Sequence, residues 1–172
     1  MEWVPDSAVS PMDTSSFAAQ MSRYTPTPRW AKLPLGMGFK GQCASVAVDS
    51  SDNVYAFGNG DDAIVVMSSD GTFLRSIGGG EEFDHPHSVV LDHDDNIWVV
   101  DAIGSFIQKR DQDGKVLLTL GERGKPSLKW SNEPFHWPTD IAILPTTGEF
   151  FVSDGYYNAA IHKFDPNGTL IK

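Results

Sequence analysis

The side chains with chemistry to offer are few: five histidines, four tyrosines, one cysteine and several close-set aspartates. His85, His87 and His93 crowd together and suggest a metal cluster, because a neutral imidazole is a good zinc ligand. Their spacing argues against that. Ser88-Val-Val-Leu-Asp92 reads as an apolar strand, and at ~3.3 Å per residue it carries His93 some ~15–20 Å from His87. His85 shares a face parity with His87 but lies beyond Pro86 in a loop, so both His85 and His93 are expected in solvent. His136 and His162 are expected at the surface. Cys43 has no partner for an internal disulfide and is expected to be a small buried apolar residue. Asp61-Asp62 and His93-Asp-Asp-Asn96 lack the oxygen spacing of an EF-hand loop. Asn167-Gly-Thr169 fits a glycosylation sequon and reads as a hairpin turn.

The elements that must position these residues come from an internal repeat. Asp49-Ser-Ser-Asp-Asn-Val-Tyr-Ala-Phe57 recurs, 43 residues later, as Asp92-His-Asp-Asp-Asn-Ile-Trp-Val-Val100. The same offset joins Asp70-Gly71 to Asp113-Gly114 and Ile77-Gly78 to Leu120-Gly121. A third copy, from Phe135 to Lys172, sets Pro138 against Pro86, Phe150–Asp154 against Ile97–Asp101 and Asn167-Gly168 against Asp113-Gly114, at offsets of 52 to 54. Extra residues enter it between Gly121 and Phe135, at the Leu-Pro-Thr-Thr-Gly turn and around Tyr156-Tyr157. In the second copy the strands read Ser88–Asp92, Ile97–Asp101, Phe106–Arg110 and Val116–Leu120. Asp-Gly and Asn-Gly turns join such short strands into antiparallel meanders, and no segment sustains a 3.6-residue apolar period. Four strands repeating every ~40–50 residues make one blade of a β-propeller. Trp98, Phe150 and Phe151 are then expected between blades. Asp140 and Asp154 are expected to cap turns or bond a neighbouring blade.

The expected organisation is a flexible lead-in over residues 1–28 and a partial propeller over 29–172, with blades at about 41–82, 83–134 and 135–172. Arg29-Trp-Ala-Lys-Leu-Pro34 is a candidate outer strand for closing the ring. The chain has 172 residues, is 40% hydrophobic and 21% charged, and carries a net charge of −10. That charge disfavours nucleic acid and anionic membranes as partners. No apolar run approaches the ~20 residues of a membrane span, and no signal peptide is visible at the N-terminus, which gives a cytoplasmic location by default.

The copies resemble NHL-repeat blades. Trp30-Ala-Lys-Leu-Pro-Leu-Gly36 leading into Val46-Ala-Val-Asp49, then Phe83-Asp-His-Pro-His-Ser-Val89, then Phe135-His-Trp-Pro-Thr-Asp-Ile141 with Val152-Ser-Asp-Gly-Tyr-Tyr-Asn158, is similar to the bacterial relatives of peptidyl-α-hydroxyglycine α-amidating lyase. The resemblance covers residues 30–172. Its most specific element is Ser153-Asp-Gly-Tyr-x-Asn158 after a Pro-Thr-Asp strand. It implies an all-β fold, a six-bladed NHL propeller of four-stranded blades, of which three are present. It also implies cleavage of the C–N bond of a C-terminal α-hydroxyglycine, so the partner is a small peptide or glycine-derived substrate.

By this resemblance His87 is a zinc ligand, the carbonyls of Val46 and Val89 contribute to a structural calcium site, and Tyr156 accepts the substrate's hydroxyl proton. Zinc can polarise a hydroxyl or carboxylate oxygen. A phenol of ordinary pKa near ~10 needs a nearby cation to act as a base at neutral pH. The family's substrate-clamping arginine falls at Asn59, in Phe57-Gly-Asn-Gly-Asp61, and Ala159-Ala160 stands where Ser-Arg is usual. The remaining two zinc histidines and the calcium aspartate belong to later blades, so a complete site needs those missing blades or a second copy of the chain. Two readings stay open: an amidating-lyase-like C–N lyase, and a non-catalytic NHL propeller that binds a protein or other ligand. In the second, His87 bonds a backbone carbonyl and Tyr156 packs over its blade loop.

Overall fold

Aspartates set the turns that divide this chain into strands. In the computed structural model, which describes residues 25–39 and 42–172, Asp49 Oδ1 accepts the main-chain N–H of Ser51 and Asn53, at 2.9 and 2.8 Å. Asp92 does the same for Asp94 and Asn96, at 3.0 and 2.9 Å. Asp111 and Asp165 repeat the pattern two and four residues on. Each carboxylate thus satisfies two turn donors that no strand partner reaches. The left-handed residue each turn needs is Asp52 or Asp95 in the first pair and Gly114 or Gly168 in the second, with φ between 58° and 87°.

The chain divides into two units, Met1–Trp30 and Ala31–Lys172. In the first, the described residues 25–30 form a turn at Pro28-Arg29. The second holds three antiparallel meanders. β1 (Cys43–Val48), β2 (Val54–Gly58), β3 (Asp62–Met67) and β4 (Phe73–Gly79) form the first sheet; a 3₁₀ turn at Gly80–Glu82 leads on from it. β5 (Pro86–Leu91), β6 (Ile97–Asp101), β7 (Phe106–Arg110) and β8 (Val116–Gly121) form the second. β9 (Asp140–Ile143), β10 (Phe150–Asp154) and β11 (Ala160–Phe164) form the third, where Leu170 adds one bridge to Phe164. Of the Arg29–Pro34 segment, Lys32 pairs with Thr72 ahead of β4.

Strand alternation distributes the core. β6 is buried along its whole length. Its Ile97 and Val99 pack with Tyr55, Phe57, Ile64 and Val66 of the first sheet, whereas Trp98 and Val100 pack with Phe150, Val152 and Phe164 of the third. Phe150 stacks on Phe164 with centroids 5.1 Å apart and lies 4.8 Å from Trp98. Phe151, expected between blades, lies on the face of the third sheet that meets no other described sheet. It has the opposite parity to Phe150 and lies half-buried on the far face of β10, near Lys163.

The two outlying histidines, expected at the surface, are buried instead. His162 pairs across the sheet with Val152 and is 3% exposed, and His136 is 8% exposed. His162 Nε2 lies 3.3 Å from Asp154 Oδ2, and the main-chain N–H of His136 donates to both oxygens of Asp154. Cys43, expected inside, is exposed because it opens the first strand at a sheet edge, where a bulge follows it. Among the described residues no helix is long and apolar enough to cross a membrane.

Candidate functional site

The repeat brings three equivalent positions together. Ala44, His87 and Thr139 occupy matching places on β1, on β5 and just ahead of β9, and with Ser45, Ser88 and Asp140 they line one recess of about 370 Å³. Ser45 Oγ reaches across to the carbonyl of Val89, and Ser88 Oγ donates to Asp140 at 2.6 Å. The inner strands are therefore cross-linked at the level of His87. Asp140 bonds the neighbouring sheet, as its repeat position suggests.

His87 is held by both ring nitrogens. Nδ1 lies 2.7 Å from the carbonyl oxygen of Thr139, which can only accept, so Nδ1 carries the proton. Nε2 then presents a lone pair in the neutral ring, and the Tyr156 hydroxyl lies 3.3 Å from it. The two rings meet edge to face with centroids 5.8 Å apart. His87 comes from the inner strand of the second sheet and Tyr156 from the loop after β10 in the third. The pair joins two residues that are 69 apart in sequence. Tyr156 is 55% exposed. His85, expected in solvent, is half-buried, with its ring 6.2 Å from that of His87.

The remaining candidates are placed as follows. Val89 is buried on β5, and Val46 lies on β1 next to Ser45, whose hydroxyl touches the Val89 carbonyl. The two carbonyl positions thus belong to neighbouring inner strands. Asn59 follows β2 and does not line the recess; its main-chain N–H donates to Gln42 at 2.9 Å. His93 is exposed and pairs with Asp94 at the far end of β5. Among the described residues no three His, Cys, Asp or Glu side chains converge as a metal would require.

Sequence reasoning missed the support of Tyr156. The segment between Gly121 and Phe135 wraps its loop: Trp130 N–H donates to the Tyr157 carbonyl at 3.0 Å, and Asn158 Nδ2 donates to the Glu133 carbonyl at 2.7 Å. Lys129 Nζ sits 3.7 Å from the centre of the Tyr157 ring. The signal was the break in the 43-residue offset, which marked an insertion without saying where it docks.

The fold and these positions define the class: antiparallel meanders of four, four and three strands with an inner-strand recess, as in blades of an NHL-type β-propeller. No family model matches the chain. It is 32% identical over 157 residues to peptidylglycine alpha-amidating monooxygenase of Rattus norvegicus, covering 76% of this chain and 16% of that protein. To peptidyl-alpha-hydroxyglycine alpha-amidating lyase 1 of Drosophila melanogaster it is 41% identical over 96 residues, covering 54% of this chain and 17% of that protein. An NHL repeat-containing protein of mouse also matches. Among solved structures, virginiamycin B lyase from Staphylococcus aureus superposes with a TM-score of 0.55 at 16% identity, covering 73% of this chain and 39% of that one, a likeness of fold alone. The chain is a homologue of the peptidyl-α-hydroxyglycine amidating lyases and of NHL-repeat proteins, and it spans less than a fifth of the length of the first amidating relatives.

Proposed function

We propose that this chain contributes one flank of an amidating-lyase site, built on Tyr156 and His87, that cleaves a peptidyl-α-hydroxyglycine to a peptide amide and glyoxylate. The observation that carries the reading is the Tyr156 hydroxyl facing His87 Nε2 while Nδ1 is tied to Thr139. The reaction needs a base at the substrate hydroxyl. As that proton leaves, the O–H electron pair becomes the second bond of the glyoxylate carbonyl. The C–N bond then breaks with its pair on the amide nitrogen, which takes up a proton. Tyr156 is the exposed oxygen base, and His87 is placed to take the phenol's own proton and keep the ring oriented.

The same Nε2 lone pair fits a zinc ion as a single donor, and it can serve the metal or the phenol but not both at once. Zinc, when bound, would supply the cation that polarises a substrate oxygen and favours phenolate. Its other donors would come from outside the described residues, from further blades or a second copy. For calcium, the neighbouring inner strands that carry Val46 and Val89 support the pairing of their carbonyls. Asn59, a neutral amide at the position of the family's arginine, does not line the recess, so it supplies no bidentate cationic clamp for a substrate carboxylate there.

The test is glyoxylate release from a peptidyl-α-hydroxyglycine. Tyr156→Phe should lower the rate ~10²–10⁴-fold, as loss of a general acid–base group does, and His87→Ala should do likewise. Release that neither substitution touches, or no release at all, overturns the proposal. Asn59 and the bond from His87 Nδ1 to the Thr139 carbonyl favour a second reading, a propeller that binds a ligand without chemistry; binding unaffected by either substitution would support that one.

A further inference from the structure

The rings around Tyr156 continue away from His87 without a break. Tyr156 lies 6.3 Å from Trp137, and Trp137 lies 4.6 Å from Tyr157, both edge to face. Trp137 is held in this place by a left-handed backbone, φ 63°, at the start of the Pro-Thr-Asp segment. On the same loops Leu128 is 81% and Trp130 63% exposed. Trp137 and Tyr157 are themselves half-buried, so a chain with a net charge of −10 sets partly open aromatic rings beside Tyr156. Exposed apolar groups that cluster within a polar surface mark binding sites.

We propose that Trp137, backed by Tyr157, is a specificity subsite that takes the uncharged, preferably aromatic, side chain of the residue preceding the reacting one in a peptide. This rests on the lyase reading for its register. The ring centres of Tyr156 and Trp137 lie 6.3 Å apart, a span that two extended residues at ~3.3–3.6 Å each cover, so a peptide with its reacting carbon at Tyr156 can bring the preceding side chain to the Trp137 ring. Acidic peptides are disfavoured there by the protein's own charge. An aromatic side chain gains from edge-to-face contact beyond the area it buries.

The experiment compares N-acetyl-Phe-α-hydroxyglycine with N-acetyl-Gly-α-hydroxyglycine by glyoxylate release and by calorimetric binding. The protein as it stands should favour the Phe peptide about tenfold, through KM. Trp137→Ala should erase that preference by raising KM for the Phe peptide alone, and Trp137→Phe should restore most of it. Equal losses for both peptides, or a fall in kcat, would make Trp137 a mere support for Tyr156 and overturn the inference. If neither peptide is cleaved, the lyase reading fails separately. The inference then stands on Phe-peptide binding that Trp137→Ala weakens about tenfold, and it falls if binding is absent or indifferent to the side chain.

Discussion

Asp101 is the sharpest place to test how the site is held. Its carboxylate is fully buried at the end of β6. Oδ1 accepts the main-chain N–H groups of His85 and Gly104, at 2.9 and 2.8 Å, and Oδ2 accepts that of Asp84. Two of these donors lie in the segment that leads directly into His87. Asp101→Asn keeps one oxygen, so at best two of the bonds survive. The new NH₂ group then faces the N–H of Asp84, donor against donor. One lost bond to a charged acceptor costs about 1.5–3 kcal/mol, so about 2 kcal/mol is expected. Asp101→Ala leaves three donors unmet and should cost about 4–6 kcal/mol, comparable with the whole stability of an ordinary domain. With a urea slope of about 2 kcal/mol/M, Asp101→Asn should lower the unfolding midpoint by about 1 M, measured by circular dichroism. A midpoint within about 0.2 M of the parent would refute the reasoning, since it would mean that water or another acceptor serves these donors equally well.

Other outcomes follow from the turns. Burial pushes the Asp92 carboxyl up, but bonds from Lys109, Trp98 and Asn96 outweigh it and hold the group below its ordinary range. Stability from this group is therefore present above the unfolded value near ~3.9 and is lost as pH falls through the folded value. Urea midpoints measured between pH 7 and 3 should drop less steeply in Asp92→Asn than in the parent, and parallel curves would count against the claim. Gly121→Ala should cost about 2–4 kcal/mol, because φ is +80° and the new Cβ would lie 2.4 Å from the Ser105 carbonyl oxygen; a thermal midpoint equal to the parent's would show that the turn can reshape.

What the sequence made legible was whatever the repeat carries. Asp49 and Asp92 are spaced identically from Asn53 and Asn96 because the same Asx-bonded turn is built twice, so strand limits in the second copy could be read almost to the residue. Contacts that the repeat does not carry were illegible. Asp101 has its counterpart in Asp154, but the first copy has Gly58 there, and a Cβ on Gly58 would lie 2.1 Å from the Gln42 carbonyl. The first blade therefore closes this joint by backbone contact where the others use a carboxylate. His162 looked like a surface residue because a histidine on a short strand gives no parity of its own; only its pairing with Val152 turns it inward onto Asp154.

The Tyr156–His87 pair belongs to neither category, and this bears on how such a site arises. Each residue could be singled out only by resemblance, and nothing in their spacing along the chain predicts that they touch. What joins them is the packing of the second meander against the third. β5 presents His87 at its recess end, the Thr139 carbonyl of the next blade fixes the ring, and the loop after β10 returns Tyr156 to the same level. The insertion before Phe135 matters for the same reason. A loop with Tyr156 55% exposed has no core of its own to hold it, and Trp130, Glu133 and Lys129 supply contacts that a minimal blade lacks. Residues outside the repeat thus brace the one loop that reaches across to its neighbour, and the strands of the blade are left unchanged.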